Sequence, residues 1–421
     1  MDSKRLQIRY AEDGGVEKDG VIEIRRGVDD LSLGTSHYAQ VRILVDGTHY
    51  IKGMAVYSDD LPKGVDVLFN TNKKQGTPMK DVLKKIKDDP ENPFGSLIKE
   101  GIVDPDKGDE LKGGQSYYYD KNGKKQLSLI NKRAEEGDWG EWADKLPSQF
   151  LSKQNLSLVK KQLGLAASDK VSEFDEICSL TNPTVKKALL KSFADDCDSA
   201  AVHLKAAALP RQKYQVILPI TSMKDTEVYA PNYKNGETVA LIRYPHGGTF
   251  EIPILTVNNK QPEARRVLGT TPKDAIGINK KIADQLSGAD FDGDTVMVIP
   301  CNSKGSKIKI NSSRPFKELQ DFDNKLEYGP DSSEPVKVDS KGREYYTRNG
   351  KMYARMKNTQ AEMGSISNLI TDMTLKGADK NEVIRAVKHS MVVIDAEKHK
   401  LDYKQSEIDN GIASLKKRYQ G

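Results

Sequence analysis

The chain has little that would staple, anchor or metallate it in the usual ways. Only three cysteines occur in 421 residues, Cys178, Cys197 and Cys301, with no Cys-x-x-Cys and no histidine spacing suited to zinc. That excludes a disulfide framework and a structural zinc centre, and points to a reducing compartment. No apolar run approaches the ~20 residues of a membrane span. The N-terminus, Met1 to Arg5, is polar and without a signal-peptide core, so a cytoplasmic location is expected. A Gly-x-x-x-x-Gly-Lys-Ser/Thr loop is missing, which argues against a P-loop motor, and no low-complexity repeat occurs. Net charge is small as well: 66 basic and 61 acidic residues leave +5, so any polyanion track must come from local segregation. Lysine clusters at 73–74, 84–87, 124–125, 160–161, 186–191, 280–281 and 416–418 offer material for one, though most such runs are solvated helix faces. A length of 421 residues allows two or three domains, and 37% hydrophobic content allows ordinary cores.

What stands out is an acidic loop. Residues 287 to 295 read Ser-Gly-Ala-Asp-Phe-Asp-Gly-Asp-Thr, placing Asp290, Asp292 and Asp294 at alternate positions around Gly293. At a strand end these would share a face and converge three carboxylates on one point, which requires a cation. Hard oxygen ligands beside a glycine suit Mg²⁺, with Mn²⁺ as the alternative, and the natural chemistry is phosphoryl or nucleotidyl transfer. An EF-hand Ca²⁺ loop is excluded, because its sixth and twelfth positions would fall on Thr295 and Cys301 rather than Gly and Glu. A solvated acidic hairpin turn is the plainer alternative. Against it, Val296-Met297-Val298-Ile299 follows at once and reads as buried.

The loop also carries a resemblance. Ala289-Asp290-Phe291-Asp292-Gly293-Asp294 is similar to the Asn-Ala-Asp-Phe-Asp-Gly-Asp loop in the largest subunit of cellular RNA polymerases, with Gly288 in place of the asparagine. It is also similar to the Asp-x-Asp-Gly-Asp loop of eukaryotic RNA-silencing RNA polymerases. About fifty residues upstream, Ile242-Arg243-Tyr244-Pro245-His246, followed by Phe250 to Val257, resembles the family's Arg-x-Pro segment. The resemblance implies that Arg243 lies by the sugar of the incoming nucleotide.

Near the N-terminus, Ile51-Lys52-Gly53-Met54, then Val65 to Asn70 and Gly76-Thr77-Pro78-Met79, runs parallel to the second-largest subunit's Asn-Lys-Gly-Val and Asp-Ile-Val-Leu-Asn-Pro segments. Lys52 thereby becomes the lysine that reaches the phosphates of substrate or strand end. The family's other barrel lysine would fall on Leu44, leaving Arg42, Lys73 or Lys74 as candidates to substitute. At the other end, Met363-Gly364-Ser365-Ile366-Ser367-Asn368 and His389-Ser390 through Lys398 resemble the silencing polymerases' Gly-x-Ile-Ser-Asn and His-Ser-x-x-Val-Asp-x-x-Lys region. There the first helix bridges the active site, which implies that Gly364, Ser367 and Asn368 line the template or substrate path. His389 is tempting as an acid, but a helix-face histidine bonded to its neighbours is commoner.

Along the chain, Val21–Ile24, Val41–Val45, Tyr50–Tyr57 and Val65–Phe69 read as strands, and Tyr117-Tyr118-Tyr119 before Asp-Lys-Asn-Gly reads as a hairpin or inserted subdomain. Residues 139–205 turn helical, with stripes at Leu156, Val159, Leu163 and at Val185, Leu189, Leu190, Phe193 expected to be core. Strands return at Tyr214–Ile220, Thr226–Tyr229, Thr238–Arg243, Phe250–Val257 and Thr295–Ile299, and helices at Met363–Leu375 and Glu382–Lys398.

The resemblance therefore implies an α+β chain: two double-psi β-barrels, a helical connector and a bridge-helix-like C-terminal region. The expected units are 1–130 (first barrel with an insertion), 131–208 (connector), 209–305 (second barrel with the acidic loop), 306–355 (linker and hairpin) and 356–421 (helices). The expected function is a template-directed RNA polymerase using ribonucleoside triphosphates and a two-metal mechanism on a DNA template. RNA-templated synthesis or priming is the alternative, and accessory subunits are possible partners. Relatives this small occur in phages and mobile elements, which implies the cytoplasm of an infected or element-bearing bacterial host. Two other classes remain: a non-polymerising nucleic-acid-binding barrel, and a Mg²⁺-dependent nuclease or phosphohydrolase.

Overall fold

The computed structural model describes residues 1–10, 12, 19–34, 36–89, 93–95, 117–132, 156–200, 209–243, 251–272, 274–286, 289–310, 316–320 and 322–421. Gly288 and the Tyr244 to Phe250 part of the Arg-x-Pro segment lie outside these residues. The fold is α+β: two sheets packed side by side, with helices gathered at the C-terminal end.

The first sheet contains β1 (Leu6–Arg9), β2 (Val21–Arg25), β3 (Tyr38–Val45), β4 (His49–Ser58), β5 (Val67–Asn70), β6 (Lys84–Lys85) and β9 (Ile130–Lys132). Its order is β1-β5-β2-β4-β3-β9, with β6 also on β4; β1/β5 and β2/β4 pair parallel and the rest antiparallel. Alternation explains the two faces. Val41, Ile43 and Val45 of β3 are fully buried in the sheet's own core with Ile22, Ile24 and Ile51, while Arg42 and Leu44 lie on the opposite face. Between β6 and β9, β7 (Tyr117–Tyr119) and β8 (Lys125–Leu127) form the hairpin expected around the Asp-Lys-Asn-Gly turn.

The second sheet contains β10 (Lys213–Pro219), β11 (Glu227–Val228), β12 (Thr238–Ile242), β13 (Ile254–Val257), β14 (Ala275–Ile278) and β15 (Thr295–Pro300), in the order β11-β13-β12-β15-β10-β14. Its two ends meet. Tyr229, just after β11, exchanges backbone hydrogen bonds of 2.9 Å in both directions with Gly277 of β14, nearly closing a barrel. The interior holds Ile217, Val239, Leu241, Leu255, Ile276, Val296 and Val298, and also Phe291 and Ala289 from the acidic loop. β14 was not recognisable in the sequence, because Ala-Ile-Gly-Ile is too short to show a period.

The two sheets share a core. Met54 and Val56 of β4 pack with Val216, Leu218, Ile220 and Ala275 of the second sheet, and Val21 of β2 joins the second sheet's interior. This apolar seam sets the height at which the two sheets' polar rims face each other.

Helices α1 (Leu156–Ser179) and α2 (Pro183–Ala200) form a hairpin, and α3 (Pro262–Leu268) sits beside β14. The expectation that the stripes of α1 and α2 are core is corrected by the structure. Among the described residues Val159 is buried, whereas Leu156, Leu163, Val185 and Leu189 are exposed, because α2 packs chiefly on one helix, α4, and leaves most of the hairpin's circumference to solvent. Residues 337–354 form a small antiparallel sheet of β16 (Lys337–Val338), β17 (Glu344–Arg348) and β18 (Lys351–Ala354). The C-terminal helices α4 (Thr359–Leu375), α5 (Lys380–His399), α6 (Tyr403–Asp409) and α7 (Ile412–Gln420) enclose their own core of Ile366, Leu369, Met373, Val387, Val393 and Leu415. Asp379 caps α5 through the N–H groups of Asn381 and Glu382, and Asn358 caps α4 through Ala361. Among the described residues no helix is long and apolar enough to cross a membrane.

Candidate active site at the seam of the two sheets

The acidic loop is held from below. Phe291 and Ala289 are fully buried in the core of the second sheet, while Asp290 and Asp292, on either side of Phe291, are only partly buried. The loop is a turn rather than an extended strand, with Gly293 at φ +116°, so simple alternation of side chains does not apply. The backbone N–H of Asp290 donates to Asp294 Oδ2 at 2.8 Å, drawing the loop's two ends together.

The first sheet supplies the other half. Lys52 Nζ on β4 lies 2.6 Å from Asp292 Oδ2. Gln40 Nε2 on β3 donates to the Asp292 carbonyl at 2.8 Å, and the Asp19 N–H donates to Asp290 Oδ1 at 3.3 Å. Within the second sheet, Arg243 at the end of β12 pairs with Asp294 Oδ2 at 3.0 Å. Away from the loop, Tyr38 Oη donates to Asp274 at 2.5 Å, a further tie between the sheets.

Close approach here depends on glycine. A Cβ on Gly20 would stand 2.2 Å from Asp292 Cβ, and one on Gly53 would stand 1.9 Å from the Gly20 carbonyl oxygen. The chain thus stacks Gly53, Gly20 and Asp292 in direct contact, with the Met54 N–H donating to the Gly20 carbonyl at 2.8 Å. Gly53 beside Lys52 is therefore a packing requirement as well as part of a motif.

Asp19 is the residue the sequence reading missed. Burial, then the negative charge of Asp292, push its carboxyl above the usual range. Its Oδ1 is buried without a hydrogen-bond partner. Lys18-Asp19-Gly20 reads as an ordinary turn, so only its contact with a loop some 270 residues away marks it. Lys84, on β6, is the second addition. Desolvation and then the Lys52 charge lower its amine, while Asp292 and Asp19 act in the other direction.

The expected carboxylate convergence is not what the structure holds. Among the described residues, no three acids, histidines or cysteines stand close enough to share a metal ion. Like charges at this separation repel; Asp292 and Asp294 each take a basic side chain as counter-charge. The residues nevertheless fit a hard divalent cation. The donors are all carboxylate oxygens, and one of them, in Asp19, is buried and unpartnered.

Of the other expected residues, Lys73 and Lys74 are exposed, and the Lys73 charge reaches the Asp19 carboxyl. Arg42 lies directly opposite Lys52 in the β3/β4 register but is 3% exposed, so it is buried and not presented to a ligand. Gly364 and Ser367 are buried, and Asn368 Nδ2 lies 3.4 Å from Asp198 of α2, because α4 is packed between α2 and α5. His389 is likewise buried, its Nδ1 3.0 Å from Ser406 Oγ, and burial lowers it to about 4.

No family model matches this chain, and no curated protein matches it. Among solved structures it is similar to an RNA dependent RNA polymerase, QDE-1 from Thielavia terrestris, with a TM-score of 0.40 and 13% identity. That alignment covers 99% of this chain and 48% of the other, so the chain spans about half that protein's length. At this score and identity, function has to be argued from the chain's own site.

Proposed function

We propose that this chain is a template-directed RNA polymerase, adding ribonucleotides to an RNA 3′ end at a composite site between two double-psi β-barrels, with DNA as template. One observation carries the proposal: Lys52 of one sheet and the Asp290, Asp292, Asp294 loop of the other meet where Gly20 and Gly53 permit close approach, with Arg243 beside them. A nuclease or phosphatase also needs the acids, and it too can set a lysine against phosphate. Nucleotidyl transfer uses both, because it must hold a triphosphate and a strand end at once.

Asp290, Asp292 and Asp294 would hold Mg²⁺ or Mn²⁺, with Asp19 next to them. When bound, the metal supplies Lewis acidity that activates the 3′-hydroxyl and offsets charge on the departing pyrophosphate, the two-metal arrangement of in-line displacement. Lys52, which pairs with Asp292 across the seam, would neutralise phosphate. Arg243 would lie on the sugar side of an incoming nucleotide, and its ion pair orients Asp294. Gln40, through the Asp292 carbonyl, fixes the loop's backbone relative to the first sheet.

The test is an incorporation panel: the purified chain, labelled ribonucleoside triphosphates, single-stranded DNA or RNA templates, and Mg²⁺ or Mn²⁺, with the products sequenced. Template-copied RNA is expected, absent in Asp292→Ala, whose melting curve stays close to that of the unmodified chain because the loss of a partly exposed ion pair with Lys52 is offset by relief of the repulsion between Asp292 and Asp19. Copying of RNA alone moves the template assignment to the alternative. Shortening of labelled nucleic acid without triphosphates would establish the nuclease instead, and no incorporation on any template leaves a binding protein.

A further inference from the structure

We propose that Lys84 is a second phosphate-binding lysine of this site, closing on a phosphate oxyanion together with Lys52; this rests on the nucleotidyl-transfer function proposed above. Strand pairing carries the inference. β6 runs antiparallel to β4 with Lys84 opposite Tyr50 and Lys85 opposite His49. Residues directly opposed in an antiparallel pair share a face, as do residues two apart on one strand. Lys84 therefore shares the face of Tyr50 and Lys52, and Lys85 projects to the other. Lys84 is the diagonal neighbour of Lys52, a separation of roughly 7–8 Å between such residues, which two flexible four-carbon stems can close around one phosphate.

The same rung explains why the lysine comes from β6. On the other side of β4, Tyr50 is paired with Leu44 of β3, which is partly buried against Tyr50 and Phe94 and offers no charge. The cation on this rung is supplied from the opposite neighbour. Electrostatics place the Lys84 amine in the cluster already described, since it responds to Lys52, Asp292 and Asp19, and to Lys398 from the end of α5. Once a cation occupies the carboxylates, Lys52 and Lys84 face each other as like charges, and an anion between them relieves the repulsion.

The phosphate has two possible sources, the triphosphate of an incoming nucleotide and the backbone of the strand end, and the experiment separates them. Dissociation constants for a nucleoside triphosphate with Mn²⁺ and for a labelled RNA strand are measured on the full chain and on Lys84→Ala, Lys84→Arg and Lys85→Ala. Lys84→Ala should weaken one of the two ligands by about tenfold or more, the loss of a charge-assisted hydrogen bond. Lys84→Arg should recover most of that binding, and Lys85→Ala should bind as the unmodified chain does. A weakened triphosphate, with KM raised more than kcat falls, identifies the nucleotide; a weakened strand identifies the backbone. Unchanged affinity for both ligands in Lys84→Ala overturns the inference while leaving the polymerase proposal standing. Failure of the unmodified chain to bind either ligand removes both.

Discussion

Gly20 is the position at which a single methyl group tests the seam most directly. Its φ is +94°, and an added Cβ would lie 2.2 Å from Asp292 Cβ and 2.6 Å from Asp292 Cα, where ordinary contact begins near 3.4 Å. The difference between 3.4 and 2.2 Å requires Asp292 to retreat by about 1.2 Å, backbone included. Misplacing a reacting geometry by ~1 Å can cost on the order of a hundredfold in rate, so Gly20→Ala is expected to lower incorporation by about that factor. The unfavourable φ adds a stability cost of roughly 1–2 kcal/mol, small enough to leave the chain folded. Gly64→Ala separates these effects: Gly64 has φ +84° and nothing within 4 Å of its added Cβ, so it carries the strain without the displacement. The assay is single-nucleotide incorporation, with Mn²⁺ affinity and a melting curve measured on the same preparations. A folded Gly20→Ala chain that incorporates nucleotide and binds Mn²⁺ as well as Gly64→Ala would refute the claim that the seam positions Asp292.

Further outcomes follow from burial. Phe291 is fully buried in the core of the second sheet, so Phe291→Ala should destabilise by about 3–5 kcal/mol in urea unfolding and release the loop it anchors; a cost below about 1 kcal/mol would mean the loop is not anchored there. His389 is held neutral, with its value lowered by burial from 6.5 to about 4. The unfolded chain takes up a proton below pH ~6.5 that the folded chain refuses until pH ~4, so stability declines as pH falls through that window, by up to about 3 kcal/mol. His389→Gln should flatten that part of the stability-versus-pH curve, and an unchanged slope contradicts the assignment. Catalytic chemistry at His389 would instead show as a loss of incorporation by His389→Gln in excess of its loss of folded protein.

How far the sequence could be read depended on the range of the signal. The strands β3, β4, β10, β12 and β15 announce themselves by β-branched runs bounded by turns, and α4 and α5 by apolar positions at helical spacing. Their nature is set within a few residues, which is why an α+β chain was legible. β14 was not, because four residues carry no period, nor was the exposure of α1 and α2, whose stripes look the same whether a partner covers one face or none. At the site, Lys52, Arg243 and the three aspartates were selected by motif, and the structure sets Lys52 against Asp292 and Arg243 against Asp294. Arg42 shows the limit of residue type as a guide: its charge suggested a ligand contact, yet its position in the β3/β4 register buries it beside Lys52.

By itself the sequence determined the chemistry available: a loop of three acids around a glycine, a lysine followed by glycine, and strands able to hold them, all written in local residue order. Tertiary structure alone decided which of these meet. Asp19 and Lys84 join the acidic loop only because β2 and β6 pair with β4, and β4 packs its Met54 and Val56 against the second sheet. Such contacts span hundreds of residues and depend on register and apolar packing across a seam. Local propensity carries no record of them, because a turn aspartate and an edge lysine have the same local signature wherever the fold delivers them.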